Sequence, residues 1–158
     1  AMNTPLKTQL QRRMLLASVL VLALPCAHAA SHGTPIEVWK DPNCGCCKDW
    51  VAHLEKSGFK VKVNQTGNDV VRERLGMPRK LGSCHTAVVG GYVIEGHVPA
   101  NDIKRLLKEK PAAIGLSVPG MPVGSPGMDG SIYAGRKDPY DVLLVSKDGS
   151  SRVYQGYR

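Results

Sequence analysis

Three thiols fall within four positions at Cys44-Gly45-Cys46-Cys47, and a fourth, Cys84, lies 40 positions after the first. The chemistry available to such a run is thiolate chemistry. The thiolate is both nucleophile and metal ligand, and it forms where the local potential is positive. Soft sulfur donors take Cu(I), zinc or iron–sulfur clusters in preference to hard cations. Gly45 frees the backbone to turn tightly, so that all three sulfurs can face one small volume. The run therefore points to electron exchange, to metal binding, or to both. His97, Met121 and Met128 are further candidate donors, the methionines within a Gly/Pro-rich stretch. Loop packing is the ordinary use of a thioether, and an ordered turn ahead of a helix is the ordinary setting for His97.

Elements must bring these donors together, and the periodicity supplies them. Residues 36–40 are β-rich and mostly alternating, a strand pattern. Asp41-Pro42-Asn43 is turn chemistry, with Asn43 placed to cap the next helix. That helix is predicted over 45–57, with Cys47, Trp50, Val51 and Leu54 on one apolar face and Gly58 as its stop. Its positive dipole end lies under the sulfurs. Residues 59–63 alternate cleanly as a second strand. Asn68 caps a short helix through Leu75, ended by Gly76 and Pro78. Residues 86–89 and 92–95 flank Gly90-Gly91 as a hairpin. Pro99 opens a helix to about Glu109 with Ala100, Ile103, Leu106 and Leu107 inward, and Pro111 ends it. Residues 113–135 hold six glycines and three prolines with no period. This predicts a long loop, of a kind often functional. A hairpin of 140–146 and 152–155 around Asp148-Gly149 closes the chain. Trp39 and Trp50 are expected in the core. The fold class is α/β, in the order β-α-β-α-β-β-α, with no internal repeat.

The chain has 158 residues, suiting one domain. Lys7, Arg12 and Arg13, a short apolar run over 14–24 and Ala27-His28-Ala29 read as a cleavable signal peptide over 1–29. The apolar run falls well short of the ~20 residues that span a bilayer, and Cys26 is expected to leave with the signal. Those 29 residues carry three of the 21 basic residues and none of the 13 acidic ones, leaving +5 of the formal +8. The basic residues are spread rather than clustered, which argues against nucleic acid as a partner. Export implies an oxidising compartment. Four cysteines outside the signal would ordinarily mean disulfides, but neighbouring Cys46 and Cys47 are poorly placed to pair with each other.

The element order, with Cys44 and Cys47 as a Cys-x-x-Cys after the first strand, resembles the thioredoxin fold. That resemblance implies a mixed four-stranded sheet flanked by helices. It places Cys84, before the third strand, and His97, after the fourth, beside the Cys44–Cys47 run. It also implies that Cys44 and Cys47 form a disulfide in air. Thioredoxin-like oxidoreductases usually carry a cis-proline where this chain has Ser83-Cys84-His85-Thr86, and a thiol there favours metal over disulfide exchange. With Cys84 facing inward, strand alternation turns His85 away. His53, seven residues after Cys46, falls about 10 Å further along the helix, a surface or supporting position.

Cys44-Gly45-Cys46-Cys47, Ser83-Cys84-His85-Thr86-Ala87, Gly96-His97-Val98-Pro99-Ala100, and the Val118-Pro119-Gly120-Met121-Pro122 and Gly124-Ser125-Pro126-Gly127-Met128 segments occur in that order. Together they resemble the CopG-type periplasmic copper-resistance proteins, over about residues 36 to 130. The resemblance implies a thioredoxin-like core at 36–111, after a mobile leader at 30–35. The Gly/Pro/Met-rich loop and C-terminal hairpin at 112–158 would pack on that core. It implies Cys44, Cys46, Cys47 and Cys84 as copper ligands, with His97, Met121 and Met128 as further candidates. The expected function is a periplasmic copper-binding protein contributing to copper resistance. It would hold Cu(I), in a multinuclear cysteine-bridged cluster where thiolates bridge. Its partners would be copper ions and other periplasmic copper-handling proteins, with no membrane association after signal cleavage. The protein reads as a metal binder rather than a catalyst. The enzymatic alternative is a thiol-disulfide or copper-cycling oxidoreductase using Cys44 and Cys47. A thioredoxin-like [2Fe–2S] ferredoxin is a further alternative, disfavoured because Sec export carries the chain out unfolded. A four-cysteine zinc site is weaker still.

Overall fold

The computed structural model describes residues 33–158. The signal expected at 1–29 and the first half of the leader, residues 30–32, lie outside the described residues. Seven strands form one sheet in the order β2-β1-β3-β4-β5-β6-β7. The strands are β1 (Thr34–Lys40), β2 (Phe59–Asn64), β3 (His85–Val89), β4 (Tyr92–Glu95), β5 (Gly115–Ser117), β6 (Tyr140–Val145) and β7 (Ser151–Tyr157). The helices are α1 (Gly45–Lys56), α2 (Asp69–Arg74) and α3 (Ala100–Glu109). β1 pairs with β2 in parallel and with β3 antiparallel, and β3 and β4 form the expected hairpin. These four strands with α1 and α3 are the thioredoxin-like unit.

The strand count departs from the expectation. Gly115–Ser117, read from its glycines as loop, forms β5 in parallel register with β4 and antiparallel to β6. The closing hairpin thereby extends the core sheet. Gly115 has a packing reason: a Cβ there would fall 1.7 Å from the Val93 carbonyl oxygen. β1 also starts two residues earlier than periodicity suggested, because Thr34 and Pro35 pair with Phe59 and Lys60.

α1 and α3 cover one face. Trp50 and Leu54 of α1 and Ile103 and Leu106 of α3 are fully buried with Val38, Ile94 and Leu116 of the sheet. Each such side chain contributes about 1.5–3 kcal/mol by leaving water. The Trp50 indole also donates to the Val98 carbonyl at 2.9 Å, tying α1 to the segment before α3. Met77, Leu81, Val93 and Val145 form a second, smaller cluster. Strand alternation, Val93 against Ile94 and Val145 against Leu144, puts it on the opposite face. Trp39 is not core: it is half-buried and lines a shallow groove with Pro35, Lys60 and Lys62. Alternation along β1 turns it away from Val38.

Candidate metal centre

α1 begins where β1 ends, and its first turn carries the thiols. Cys44, rather than Asn43, occupies the N-cap position, with no side chain capping the free amides. The turn before it is held by Asp41, whose carboxylate accepts the Asn43 N–H at 2.8 Å and whose carbonyl accepts the Cys44 N–H at 3.1 Å. The first turn of α1 holds no acidic residue, so its amides present unopposed positive potential to the sulfurs. Gly45 does not make a tight turn. It is an ordinary helical residue, and a Cβ there would meet nothing within 4 Å.

Cys44 and Cys47 are joined in a disulfide, while Cys46 and Cys84 are free thiols. The Cys44 and Cys46 sulfurs lie 3.6 Å apart, and those of Cys47 and Cys84 lie 3.5 Å apart. All four lie within 4.8 Å of one another. Cys84 belongs to a second group as well. Its Sγ is 3.2 Å from His97 Nε2 and 3.4 Å from His85 Nδ1, again all within 4.8 Å. One sulfur is thus shared by a set of cysteine sulfurs and a set of imidazoles.

The His97 tautomer follows from its other contact. Nδ1 lies 2.9 Å from the Pro126 carbonyl oxygen, which can only accept, so Nδ1 carries the hydrogen. Nε2 then presents its lone pair towards Cys84. Burial, against the raising effect of the Pro126 contact, lowers the His97 pKa and keeps the ring neutral. His85 does not face away as alternation implied. It is fully buried, tilted over the Trp50 ring at 4.2 Å and edge-on to His97 at 5.0 Å. The alternation argument fails because Cys84 precedes β3 and does not follow its pleat. Burial, then His97 and Lys40, push the His85 pKa well below its ordinary value, and its Nε2 has no hydrogen-bond partner. Burial, followed by the charge of Cys46, pushes the Cys84 thiol up to about 12.

The two methionines part company. Met121 Sδ is 3.9 Å from Cys46 Sγ, and the residue is 51% exposed at the mouth of the sulfur group. Met128 is buried, and its sulfur accepts the Tyr133 hydroxyl at 3.3 Å. The loop carrying Met121 is strapped down by Gly120, whose N–H donates to the Gly82 carbonyl at 3.2 Å and whose carbonyl accepts the Ser83 hydroxyl. Gly127, at φ +85, presses on α1, where a Cβ would fall 2.6 Å from the Cys46 carbonyl oxygen. His53 makes no contact with the sulfurs, and its Nε2 accepts the Ala100 N–H at 3.1 Å at the start of α3.

A polar network fixes the Cys84 loop. All described peptide bonds are trans, and side chains hold this turn instead. The buried Glu95 carboxylate accepts the Ser83 N–H at 2.7 Å, Arg72 Nε at 2.9 Å and the Thr86 hydroxyl at 2.6 Å. Arg72 Nη2 and the Asn68 amide both donate to the Ser83 carbonyl, at 2.9 and 3.2 Å. Asn68 sits at the N-cap of α2 but spends its side chain here, without capping. Motif reading missed Glu95, Arg72 and Asn68. The available signal was Glu95, a carboxylate ending the otherwise apolar run Tyr92-Val93-Ile94.

Residues 81–128, which contain Cys84, His85, His97 and Met121, match the model of a family described as a protein of unknown function, DUF411. A solved structure described as copper resistance protein copG, form 2, is 46% identical, with a TM-score of 0.74 over 80% of this chain and 99% of that one. Form 1 is 47% identical, with a TM-score of 0.73 over 79% and 98%. The chain belongs to the CopG copper-resistance family. No curated protein matches it. The CopG relatives are matched over nearly their whole length and about four-fifths of this chain, whereas the family model takes in residues 81–128 alone. Among the described residues no helix is long and apolar enough to cross a membrane.

Proposed function

We propose that this protein binds copper as Cu(I) and thereby contributes to copper resistance in the periplasm. The carrying observation is Cys84 Sγ, within 3.5 Å of the Cys47 sulfur and 3.2 Å of the His97 lone-pair nitrogen. Thiolate, thioether and neutral imidazole are the donors that soft copper prefers. The fully buried His85 Nε2 without a partner marks a polar atom that hydrogen bonding leaves unused, which is costly unless something else engages it. Cys44, Cys46, Cys47 and Cys84 would hold the metal, with His97 and His85 completing the inner side and Met121 the mouth. Cys84 belongs to both donor groups, and a thiolate common to the two supports the reading of a multinuclear arrangement. The signal-like 1–29 segment supports export, and copper-handling proteins of that compartment are the expected donors and acceptors.

Anaerobic titration of the reduced protein with Cu(I) against a competing chelator tests the reading. At least one tightly held copper per chain is expected, with capacity reduced in Cys84→Ser. Less than one copper, unchanged binding in the variant, or a brown protein with iron–sulfur absorption rejects it.

The Cys44–Cys47 disulfide favours a second reading, an oxidoreductase that cycles copper. In it two thiols become a disulfide, releasing two protons and passing two electrons to two Cu(II). Adding Cu(II) to the reduced protein should consume one thiol per Cu(I) formed. Copper bound without thiol loss rejects this reading alone.

A further inference from the structure

Of the five histidines in the chain, His53, His85 and His97 have their place in the fold, and His28 falls in the segment expected to leave with the signal. His32 remains, and its position counts from the cleavage point. Cleavage after Ala27-His28-Ala29 makes Ala30 the first residue, so the mature chain opens Ala30-Ser31-His32-Gly33. A histidine third from a free amine gathers four nitrogens in one short stretch. They are the Ala30 amine, the Ser31 and His32 amide nitrogens and the His32 Nδ1. Closed on one ion, they form two five-membered rings and one six-membered ring, which fit a plane. Both amides must carry an N–H, which proline lacks, and the first proline after the cleavage point is Pro35. Planar nitrogen sets select Cu(II) or Ni(II), where soft sulfur sets select Cu(I).

The fold keeps these nitrogens away from the sulfurs. Gly33 packs against the turn that ends α1, where a Cβ would fall 2.6 Å from the Gly58 carbonyl oxygen. Thr34 then pairs with Phe59, and β1 runs from there to Lys40, just before the turn that leads to Cys44. Its seven residues, rising about 3.3 Å each, put its ends about 20 Å apart. The three residues ahead of Gly33 reach at most about 11 Å. An ion held by the four nitrogens is therefore not one held by Cys44.

We propose that the mature amino terminus, Ala30-Ser31-His32, is a Cu(II) site separate from the sulfur centre. This rests on the export reading in one respect, cleavage after Ala29, and not on copper being held by the cysteines. On binding, the Ala30 ammonium and the Ser31 and His32 amides each release one proton to solvent, and the neutral His32 imidazole supplies its lone pair. No electron moves, and the two amide anions balance the charge of the ion. The protein then offers nitrogen to Cu(II) at one end of β1, with the soft donors at the other.

The test uses the full chain expressed with its own leader, recovered after export, its first residue read by mass spectrometry. A start at Ala30 is expected, and a start at any other residue overturns the proposal. Free thiols are capped with methyl methanethiosulfonate so that they neither bind nor reduce the probe, Cu(II) added in excess glycine to remove loosely held ion. Wild type should retain one Cu(II) per chain, with a tetragonal electron paramagnetic resonance spectrum split by four nitrogens. That spectrum should be lost in His32→Ala and in Ser31→Pro, which removes one amide N–H and leaves the imidazole in place. It should persist in Cys84→Ser. A four-nitrogen spectrum surviving either leader variant, its loss in Cys84→Ser, or no retained Cu(II) on a chain that starts at Ala30 overturns the proposal. Failure of the Cu(I) titration with this Cu(II) spectrum intact rejects the sulfur reading alone and leaves the amino-terminal site standing.

Discussion

On one side of the Ser83–Cys84 link, the Glu95 carboxylate takes three donors between 2.6 and 2.9 Å, and the Ser83 carbonyl takes two more. On the other side, Cys84 Sγ meets sulfur and imidazole nitrogen at 3.2 to 3.5 Å, and a buried His85 nitrogen has no partner. Both regions are polar and at least partly buried, yet one is saturated with hard donors and the other is a set of soft donors left loosely engaged. The saturated side behaves as scaffold, since every group in it is satisfied and removing one strands the rest. On the proposed reading the soft side is the site, because its donors are not held by one another as the carboxylate and its partners are. Removal of a member should therefore give opposite results on the two sides.

The largest effect is expected from Arg72→Met. Leaving Glu95 buried without its cation should cost about 3–5 kcal/mol of stability in urea unfolding, while the folded fraction keeps its Cu(I) capacity. Lost capacity with full stability would move Arg72 to the site side. Next, His97→Ala should weaken Cu(I) binding about 10-fold, equivalent to about 1.4 kcal/mol, with fewer nitrogen neighbours in the X-ray absorption of the copper-loaded protein. Unaltered spectra would reduce the soft side to sulfur alone.

A smaller effect concerns His53, an imidazole used as scaffold. Its Nε2 accepts the Ala100 N–H, and burial chiefly lowers its pKa below the ordinary 6.5. Above pH 6.5 the ring is neutral in both folded and unfolded chains. As the pH falls through 6.5, the unfolded chain takes up a proton that the fold resists, so stability is lost. Copper-free wild type should lose more stability than His53→Gln between pH 7.5 and 5.5 in urea unfolding. Parallel pH profiles would remove His53 from the scaffold. The smallest effect is expected from Met121→Leu: stability within about 0.5 kcal/mol, and copper uptake from a chelator slowed about two- to fivefold by loss of the exposed thioether. An unchanged rate would make Met121 a lid without a ligand role.

How much of this was legible in the sequence divides along the same line. The thiols, His97 and Met121 stood out because their types are scarce and their chemistry is specific, and the thioredoxin-like order of elements brought Cys84 to Cys47. The fold was legible where periodicity is strong: Cys47, Trp50 and Leu54 on α1, and Ile103 and Leu106 on α3, face inward as expected. β5 was not legible, since three residues beginning with Gly115 carry no period, and their pairing depends on Val93 approaching a residue without a side chain. The scaffold was hidden for a different reason. Arg72, Asn68 and Glu95 are ordinary residues of polar turns and helix ends, and only their convergence on Ser83 gives them meaning. His85 was misjudged because alternation was carried one residue past the strand.

β5 and β6 are neighbours in the sheet, so the segment from 118 to 139 leaves and re-enters the fold at adjacent strands. Closing such an excursion costs entropy that grows only with the logarithm of its length, about 0.6 kcal/mol for each doubling. The segment that supplies Met121 and the Pro126 carbonyl can thus change length between its anchors at little expense to the sheet, while buried Val118 and close-packed Gly127 stay fixed. Relatives sharing this frame are free to differ in the outer wall of the sulfur pocket, with α1 and the Ser83–Cys84 turn as the fixed floor against which such exchanges are made.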